Sequence, residues 1–408
     1  MITCVRFHQQ RVAGTVLLPA SKSISNRYLL LRSLAGSDAE IANLSEARDT
    51  RLLQELLNSA TTVLDAQDAG TVYRFLTATL AYKPGKWQLT GTPRMQERPV
   101  GALVEALRTL GADIRYTGKD GYPPLEIQGG KLVSGSITVD GSVSSQFISA
   151  LLLVAPFLPQ GLRVRTNGEL VSAPYIAMTV AILRKCGIPV DVNGQDIHIS
   201  AAPVRLENAV VESDWSSAAF FFEAACLSPE ASIHFPGLEE TSVQGDARLA
   251  TLGSHFGLIS GFDESGWRLE GMGRHPNSVE LDLRGEPDLF PALCAAAAGM
   301  GMTGSFSGLG HLRNKESDRL LAMEENLLLL GADCSLVDDG LVLHSAQPLR
   351  TDGILLNGFA DHRIVMAMAL LATRCGYIRV TDAEQVAKSF PGFWKALGTL
   401  GYEVQLEP

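Results

Sequence analysis

No two cysteines stand at CxxC spacing and no Cys/His cluster occurs; the six cysteines, at positions 4, 186, 226, 294, 334 and 375, are scattered. Neither a disulfide framework nor a zinc site is expected, and these residues read as small apolar core groups in a reducing compartment. No apolar run is long enough to span a bilayer: even "ISALLLVAPFL", residues 148–158, falls well short. The opening residues, "MITCVRFHQQ", lack the basic start and apolar stretch of a signal peptide. A cytoplasmic location with no membrane partner is therefore expected. Basic charge is not in excess either. With 44 acidic and 34 basic residues the formal charge is −10, which argues against a nucleic-acid partner. A small anionic ligand held by a few focused cations remains compatible.

What is present is a long, apolar-rich chain. Its 408 residues, 46% of them hydrophobic, suffice for two domains with a large buried core. One pattern recurs along it: an amphipathic helix, a glycine, then two short strands around a turn. It appears in "LVEALRTLGADIRYTGKDGYPPLEI", "AILRKCGIPVDVNGQDIHI", "LATLGSHFGLISGFDESGWRLEG", "ENLLLLGADCSLVDDGLVLH" and "ALGTLGYEVQLEP". Leu103, Leu107 and Leu110 carry the spacing of a helix with one buried face. Gly111, Gly187, Gly257, Gly331 and Gly401 supply left-handed helix ends. Asn193-Gly194 and Asp339-Gly340 read as hairpin turns. A further helix near "RLLQELLNS" would make six units. The near-constant spacing is too long for a solenoid of short repeats and fits helix- and strand-rich subdomains assembled into larger bodies.

The starts of several expected helices gather hydroxyls and cations. "PASKSISNR" brings Lys22, Ser23 and Arg27 together with no acid among them. "DAGTVYRFL" places Asp68, Gly70 and Thr71 at a helix start, and "GSVSSQFISALLLV" does the same for Ser144, Ser145 and Gln146. "LRNKESDRLLAMEE" brings Lys315, Glu316 and Arg319; "ADHRIVMAM" brings Asp361, His362 and Arg363; "VAKSFPGFWKAL" brings Lys388 and Ser389. Serine and aspartate are ordinary N-caps. Lys22, Arg363 and Lys388 ask for more, because each adds positive charge where the helix dipole already supplies it. An anion bound between helix and cation would satisfy both, and the repetition points to a convergent anion site.

The ordered set "LPASKSISNR", "DAGT", "RMQERP", "SSQF", "NKESDR", "DHR" and "AKSFP" resembles the 5-enolpyruvylshikimate-3-phosphate (EPSP) synthase family over nearly the whole chain. Any one of these motifs is weak evidence; seven in order are specific. The resemblance implies an α/β (α+β) fold of two similar domains, each of three βαβαββ units in an inside-out barrel, with the active site in the interdomain cleft. It places residues 1–20 and 212–408 in one domain and 21–211 in the other. It implies transfer of the enolpyruvyl group of phosphoenolpyruvate to the ring hydroxyl of shikimate 3-phosphate, with release of phosphate. Both substrates carry phosphate and carboxylate, which accounts for the cations: the arginine fork suits carboxylates, and lysine is a compact partner for phosphate. No metal or organic cofactor is expected, the protein is expected to be a monomer, and glyphosate is expected to compete with phosphoenolpyruvate.

By the same resemblance, Lys22, Arg98 and Lys388 hold the phosphoenolpyruvate phosphate, with a Gly70 backbone N–H and Gln146 assisting. Arg319 and Arg363 clamp its carboxylate. Ser23 and Arg27 meet the shikimate carboxylate, and Ser144, Ser145 and Ser172 cradle the shikimate phosphate. Asp288 and Lys315 hold ring hydroxyls. The chemistry needs one group that gives and later removes a proton at the methylene carbon, and Glu316 is the carboxylic acid for it. Asp288 or Lys22 takes the hydroxyl proton, and His362 orients Glu316 or steadies the departing phosphate. Asp288 also reads as an N-cap, and Glu316–Arg319 as an ordinary i,i+3 helix pair. Two positions depart from the usual family pattern. Asp68 stands where Asn is common, able still to cap its helix, and His311 replaces another Asn but keeps a donor. The related UDP-N-acetylglucosamine enolpyruvyl transferases have Lys-Asn in place of Lys22-Ser23 and usually a reactive cysteine near the Arg98 region. This chain has no cysteine between Cys4 and Cys186. A non-catalytic relative is disfavoured by the joint presence of Glu316, Lys22, Asp288 and His362.

Overall fold

In a computed structural model of the protein, residues 1–142, 144–207, 209–345, 349–350 and 353–407 are described. Their strands form five four-stranded sheets, and all five share one pairing pattern, one parallel contact followed by two antiparallel ones. Gly135–Asp140 runs parallel to Leu162–Asn167, which pairs antiparallel with Asp196–Ile199, itself in a hairpin with Val190–Asn193. Numbered along the chain, the spatial order is 1-2-4-3. The same order is made by Val63–Asp65, Gly85–Thr90, Asp113–Tyr116 and Leu125–Gly129. It recurs in Ser278–Asp282, Thr303–Ser307, Asp333–Val337 and Gly340–Ser345. A parallel pair needs a crossover connection, whereas the hairpin needs only a turn, which places a helix between the two parallel strands along the chain in each of these three sheets. Leu162–Asn167, "LRVRTN", alternates strictly between buried and exposed positions, as a strand with one covered face must.

The remaining two sheets draw strands from distant parts of the chain. Arg11–Thr15 lies parallel to Glu230–Pro236, and Ile2–Arg6 is inserted between Tyr377–Val380 and Glu403–Glu407. Contacts accordingly divide the chain into two units. One holds Met1–Ala20, Glu46–Arg48 and Glu212–Pro408; the other holds Ser21–Ser45 and Asp49–Val211. Pro408, at the end of the expected first domain, lies outside the described residues. The first unit has three of the sheets. The second has two, together with the helices Lys22–Ala35 and Arg48–Leu57 near an isolated bridge of Ala42 to Val210.

Each unit is built around helices. In the first, Trp215–Leu227, Phe290–Gly299 and His362–Leu370 pack on one another and are buried on nearly every face. Helices apolar all round belong in a core, and the small residues of "CAAAAG" let them approach closely. A methyl group added at Gly299 would lie 2.4 Å from Leu227 Cδ2. In the second unit, Lys22–Ala35, Gly70–Tyr82 and Ser145–Val154 pack on one another in the corresponding way.

All five helix-ending glycines of the repeat have φ between 71° and 91°, the left-handed conformation anticipated for them. One expected helix differs. Residues 245–256 form two 3₁₀ segments, Gly245–Thr251 and Gly253–Phe256, and not one α-helix. Gly253 sits in the middle of this stretch, where a Cβ would come within 2.9 Å of the Leu258 carbonyl. A glycine forced by close backbone approach interrupts the run, and the tighter helix takes over.

Candidate active site

Each unit holds a cluster of buried polar side chains. In the second unit four helix starts contribute. Lys22 begins Lys22–Ala35 behind Ser21, whose side chain makes no cap bond. The lysine Nζ lies 3.0 Å from Asp49 Oδ2, so its charge is balanced by an acid from the next helix. Arg27 is buried and each of its three nitrogens donates inside the unit. Nε bonds Thr179 Oγ1 at 2.8 Å, Nη1 bonds the Ser23 carbonyl at 2.8 Å, and Nη2 bonds Ser149 Oγ at 3.2 Å and the Tyr175 carbonyl at 3.1 Å. Burial lowers its pKa to about 10, still far above neutrality.

Gly70 opens Gly70–Tyr82, and the space beside its Cα is filled by guanidinium groups. A Cβ there would lie 2.5 Å from Arg74 Nη1 and 2.6 Å from both terminal nitrogens of Arg98. Arg98 also donates to the Asp68 carbonyl at 3.4 Å. Arg74 bonds Gln146 Oε1 at 2.9 Å, and Gln146 Nε2 bonds Thr71 Oγ1 at 3.1 Å. Gln146 is thereby fixed across two helix starts. Ser144 caps Ser145–Val154 by accepting from the Gln146 N–H at 3.3 Å. Ser172 precedes Ala173–Lys185 in a left-handed conformation, φ 55°, with no side-chain cap bond. For a residue with a Cβ that conformation costs free energy.

The cluster of the first unit is organised by Arg319, 2% exposed. Its Nε donates to Asp361 Oδ2 at 2.8 Å, Nη1 to Asp288 Oδ1 at 2.8 Å and Nη2 to Glu316 Oε2 at 3.0 Å. Burial opposes its charge, but Asp361, Glu316 and Asp288 more than offset this and raise its pKa. Arg363 Nη2 bonds the other Asp288 oxygen at 2.8 Å. Asp361 caps His362–Leu370 by accepting from the Arg363 N–H at 2.9 Å, and His362 Nδ1 lies 3.5 Å from its Oδ1. Lys388 is fully buried. Lys315 follows the 3₁₀ turn Gly310–Asn314. His311 in that turn has its pKa lowered to about 3, by burial first and then by Lys315, so its ring is neutral at working pH and retains one donor and one acceptor.

Several local expectations are corrected. The N-cap of Gly70–Tyr82 is Ala69, so Asp68 does not cap it. Asp288 lies in a 3₁₀ turn, Pro287–Leu289, and caps no helix; its carboxylate is engaged by two arginines instead. Lys315 and Glu316 precede the helix Arg319–Leu329, whose N-cap is Asp318, so Glu316–Arg319 is not a pair within one helix. Lys388 ends a 3₁₀ helix, Ala383–Lys388, and starts none; a cation is favoured at that carbonyl-rich end. Sequence reasoning assigned no site role to Asp49, Arg74 or Asp361. The acid at the head of "DHR" was the one available signal for Asp361, while Asp49 and Arg74 become visible only through their tertiary partners.

Buried cations at helix starts, interlocked with carboxylates in a helix-centred α/β fold, define an enzyme that handles small anions. The sequence model of EPSP synthase (3-phosphoshikimate 1-carboxyvinyltransferase) matches residues 7–61 and 53–397. A 3-phosphoshikimate 1-carboxyvinyltransferase of Bacteroides fragilis strain YCH46 is 37% identical over 398 residues, covering 97% of each chain. One of Pseudoalteromonas translucida strain TAC 125 is 36% identical over 424 residues, covering 96% of this chain and 97% of the relative. The structure of EPSP synthase from Acinetobacter baumannii superposes with a TM-score of 0.78 at 24% identity, over 99% of this chain and all of that one. The chain belongs to the EPSP synthase family.

Proposed function

We propose that this chain transfers the enolpyruvyl group of phosphoenolpyruvate to shikimate 3-phosphate, releasing phosphate, as a step of the shikimate pathway. The observation that carries the reading, beside family membership, is the arrangement around Arg319. One buried guanidinium holds both Glu316, suited to moving a proton, and Asp288, suited to a hydroxyl. The phosphoenolpyruvate carboxylate binds Arg319 and Arg363, in exchange for part of their present contacts with Glu316 and Asp288. Its phosphate is held by Lys22, Arg98 and Lys388, with Gln146 and the Gly70 N–H assisting. Ser23 and Arg27 receive the shikimate carboxylate; Ser144, Ser145 and Ser172 receive its phosphate; Asp288 and Lys315 hold its ring hydroxyls.

The bound hydroxyl oxygen attacks the central carbon of phosphoenolpyruvate, losing its proton to Asp288 or Lys22. The methylene carbon gains a proton from Glu316, and a tetrahedral intermediate forms. Loss of phosphate, with return of a methyl proton to Glu316, regenerates the double bond as an enol ether. The entering carboxylate competes with Glu316 for Arg319, which couples substrate binding to release of this side chain for the proton steps. His362, buried against Asp361, orients this group or steadies the departing phosphate.

The enzyme works without a metal or organic cofactor, as a cytoplasmic monomer with no nucleic-acid or membrane partner. Among the described residues no helix is long and apolar enough to cross a membrane. Release of phosphate from phosphoenolpyruvate in the presence of shikimate 3-phosphate, and not of UDP-N-acetylglucosamine, tests the reading. Release with the nucleotide sugar alone would overturn it.

Glyphosate is the expected inhibitor, competing with phosphoenolpyruvate. Gly70→Ala would push a methyl group against the ends of Arg74 and Arg98. These side chains must withdraw and crowd the pocket. Both ligands are expected to bind less well, the longer inhibitor more so. An unchanged ratio of glyphosate inhibition constant to phosphoenolpyruvate KM would remove Gly70 from the pocket.

A further inference from the structure

Beside the Asp288–Arg363 pair lies an acid to which none of the roles above is given. Asp246 sits in the first turn of Gly245–Thr251, is 3% exposed, and accepts a hydrogen bond on Oδ2 from Ser216 Oγ. Its other oxygen, Oδ1, is buried and has no hydrogen-bond partner among the described residues. The segment is fastened to the Asp288 turn by Arg248, whose Nη1 lies 2.7 Å from Glu286 and 2.9 Å from the Asp282 carbonyl. An ionised carboxylate wants donors on both oxygens, and this one is supplied with a single hydroxyl.

We propose that Asp246 is a positioning residue for the anion clamp, acting through Asp288 and Arg363 to set how readily Arg363 accepts the carboxylate of phosphoenolpyruvate. This rests on the assignment of Arg363 to that carboxylate. Gly245–Thr251 packs on the turn Pro287–Leu289 and on Trp215–Leu227, and the charges that act on Asp246 are those of Asp288 in that turn, Arg363 in His362–Leu370 and Asp214, the N-cap of Trp215–Leu227. Glu223 and Cys226 lie two and more turns further along that last helix. The neighbouring Gly253–Phe256 and Leu258–Asp263 present exposed His255 and Asp263, the latter paired with Arg268.

Burial and then the Asp288 charge push the Asp246 carboxyl up to about 7, against the opposing pull of Arg363 and Ser216. A substrate carboxylate on Arg363 adds negative charge nearby and favours protonated Asp246; by reciprocity, protonated Asp246 favours the substrate. Affinity therefore falls as pH rises through this titration.

The test is KM for phosphoenolpyruvate from pH 6 to 8.5 in the unaltered enzyme, Asp246→Asn and Ser216→Ala. Ionisation of the substrate itself is common to all three and cancels in the ratios. The ratio of parental to Asp246→Asn KM is expected to rise about fivefold or more across the range, a size usual for coupled sites. In Ser216→Ala the carboxylate loses its donor, so the same rise should appear at higher pH. A flat Asp246→Asn ratio overturns the proposal. If Asp246→Asn does not fold, an unshifted Ser216→Ala profile overturns it equally. Absence of turnover in the unaltered enzyme would instead overturn the functional reading.

Discussion

Glu316→Gln is expected to lower kcat by on the order of 100-fold or more while leaving KM for both substrates within a few fold, the size usual for losing a general acid–base group. The amide has nearly the shape of the acid, and its carbonyl oxygen can accept from Arg319 Nη2 in place of Oε2, now 3.0 Å away. The clamp around Arg319 is thereby preserved and only the transferable proton is lost. A companion measurement in deuterated water strengthens the test, since the parent enzyme should place deuterium on the substrate methylene carbon and the variant should do so far more slowly. Turnover close to that of the parent would remove Glu316 from the proton steps.

Arg319→Met is expected to be the most damaging single change for stability and activity together. The guanidinium bonds Asp288, Glu316 and Asp361 at 2.8–3.0 Å, and Asp361 is completely buried. Methionine fills much of the volume but leaves three carboxylates without their common cation. Breaking a buried ion pair by removing one partner costs about 3–5 kcal/mol. The Tm of the variant should lie well below that of the parent at pH 7.5, where the three acids would share no common counter-charge. kcat/KM should fall at least as far as in Glu316→Gln, because Asp361 also caps the helix that carries His362 and Arg363. Equal Tm values for parent and variant would show that Arg319 is not the hub described.

The same arginine shows how far sequence carried the reading. That Arg319 begins a helix is legible from "KESDRLL", and its nearness to Glu316 follows from three residues of separation. Its bonds to Asp288 and Asp361 span 31 and 42 residues, distances over which no local rule operates. The repeat was legible because its glycines answer to one physical demand, a left-handed helix end, which leaves its mark at a single position. The 3₁₀ segments at 245–256 were not, because apolar spacing alone does not separate them from an α-helix, and the approach of the Leu258 carbonyl to Gly253 is a tertiary fact. Lys388 was misplaced for a related reason: cations stabilise the end of a helix as acids do its start, and "VAKSFPGF" contains both an ending and a beginning.

The strand Ile2–Arg6, bonded on both edges by segments from the far end of the chain, bears on how the protein is made. It leaves the ribosome long before its partners Tyr377–Val380 and Glu403–Glu407. Throughout synthesis its amides and carbonyls stay open along both sides, a state in which strands pair with the wrong neighbours. The strands of the Ser21–Val211 region find their partners inside that region, so that portion can fold while translation continues. Ribosome pausing before residue 377 would then hold a chain with one finished half and one adhesive strand, the stage at which a chaperone has most to protect.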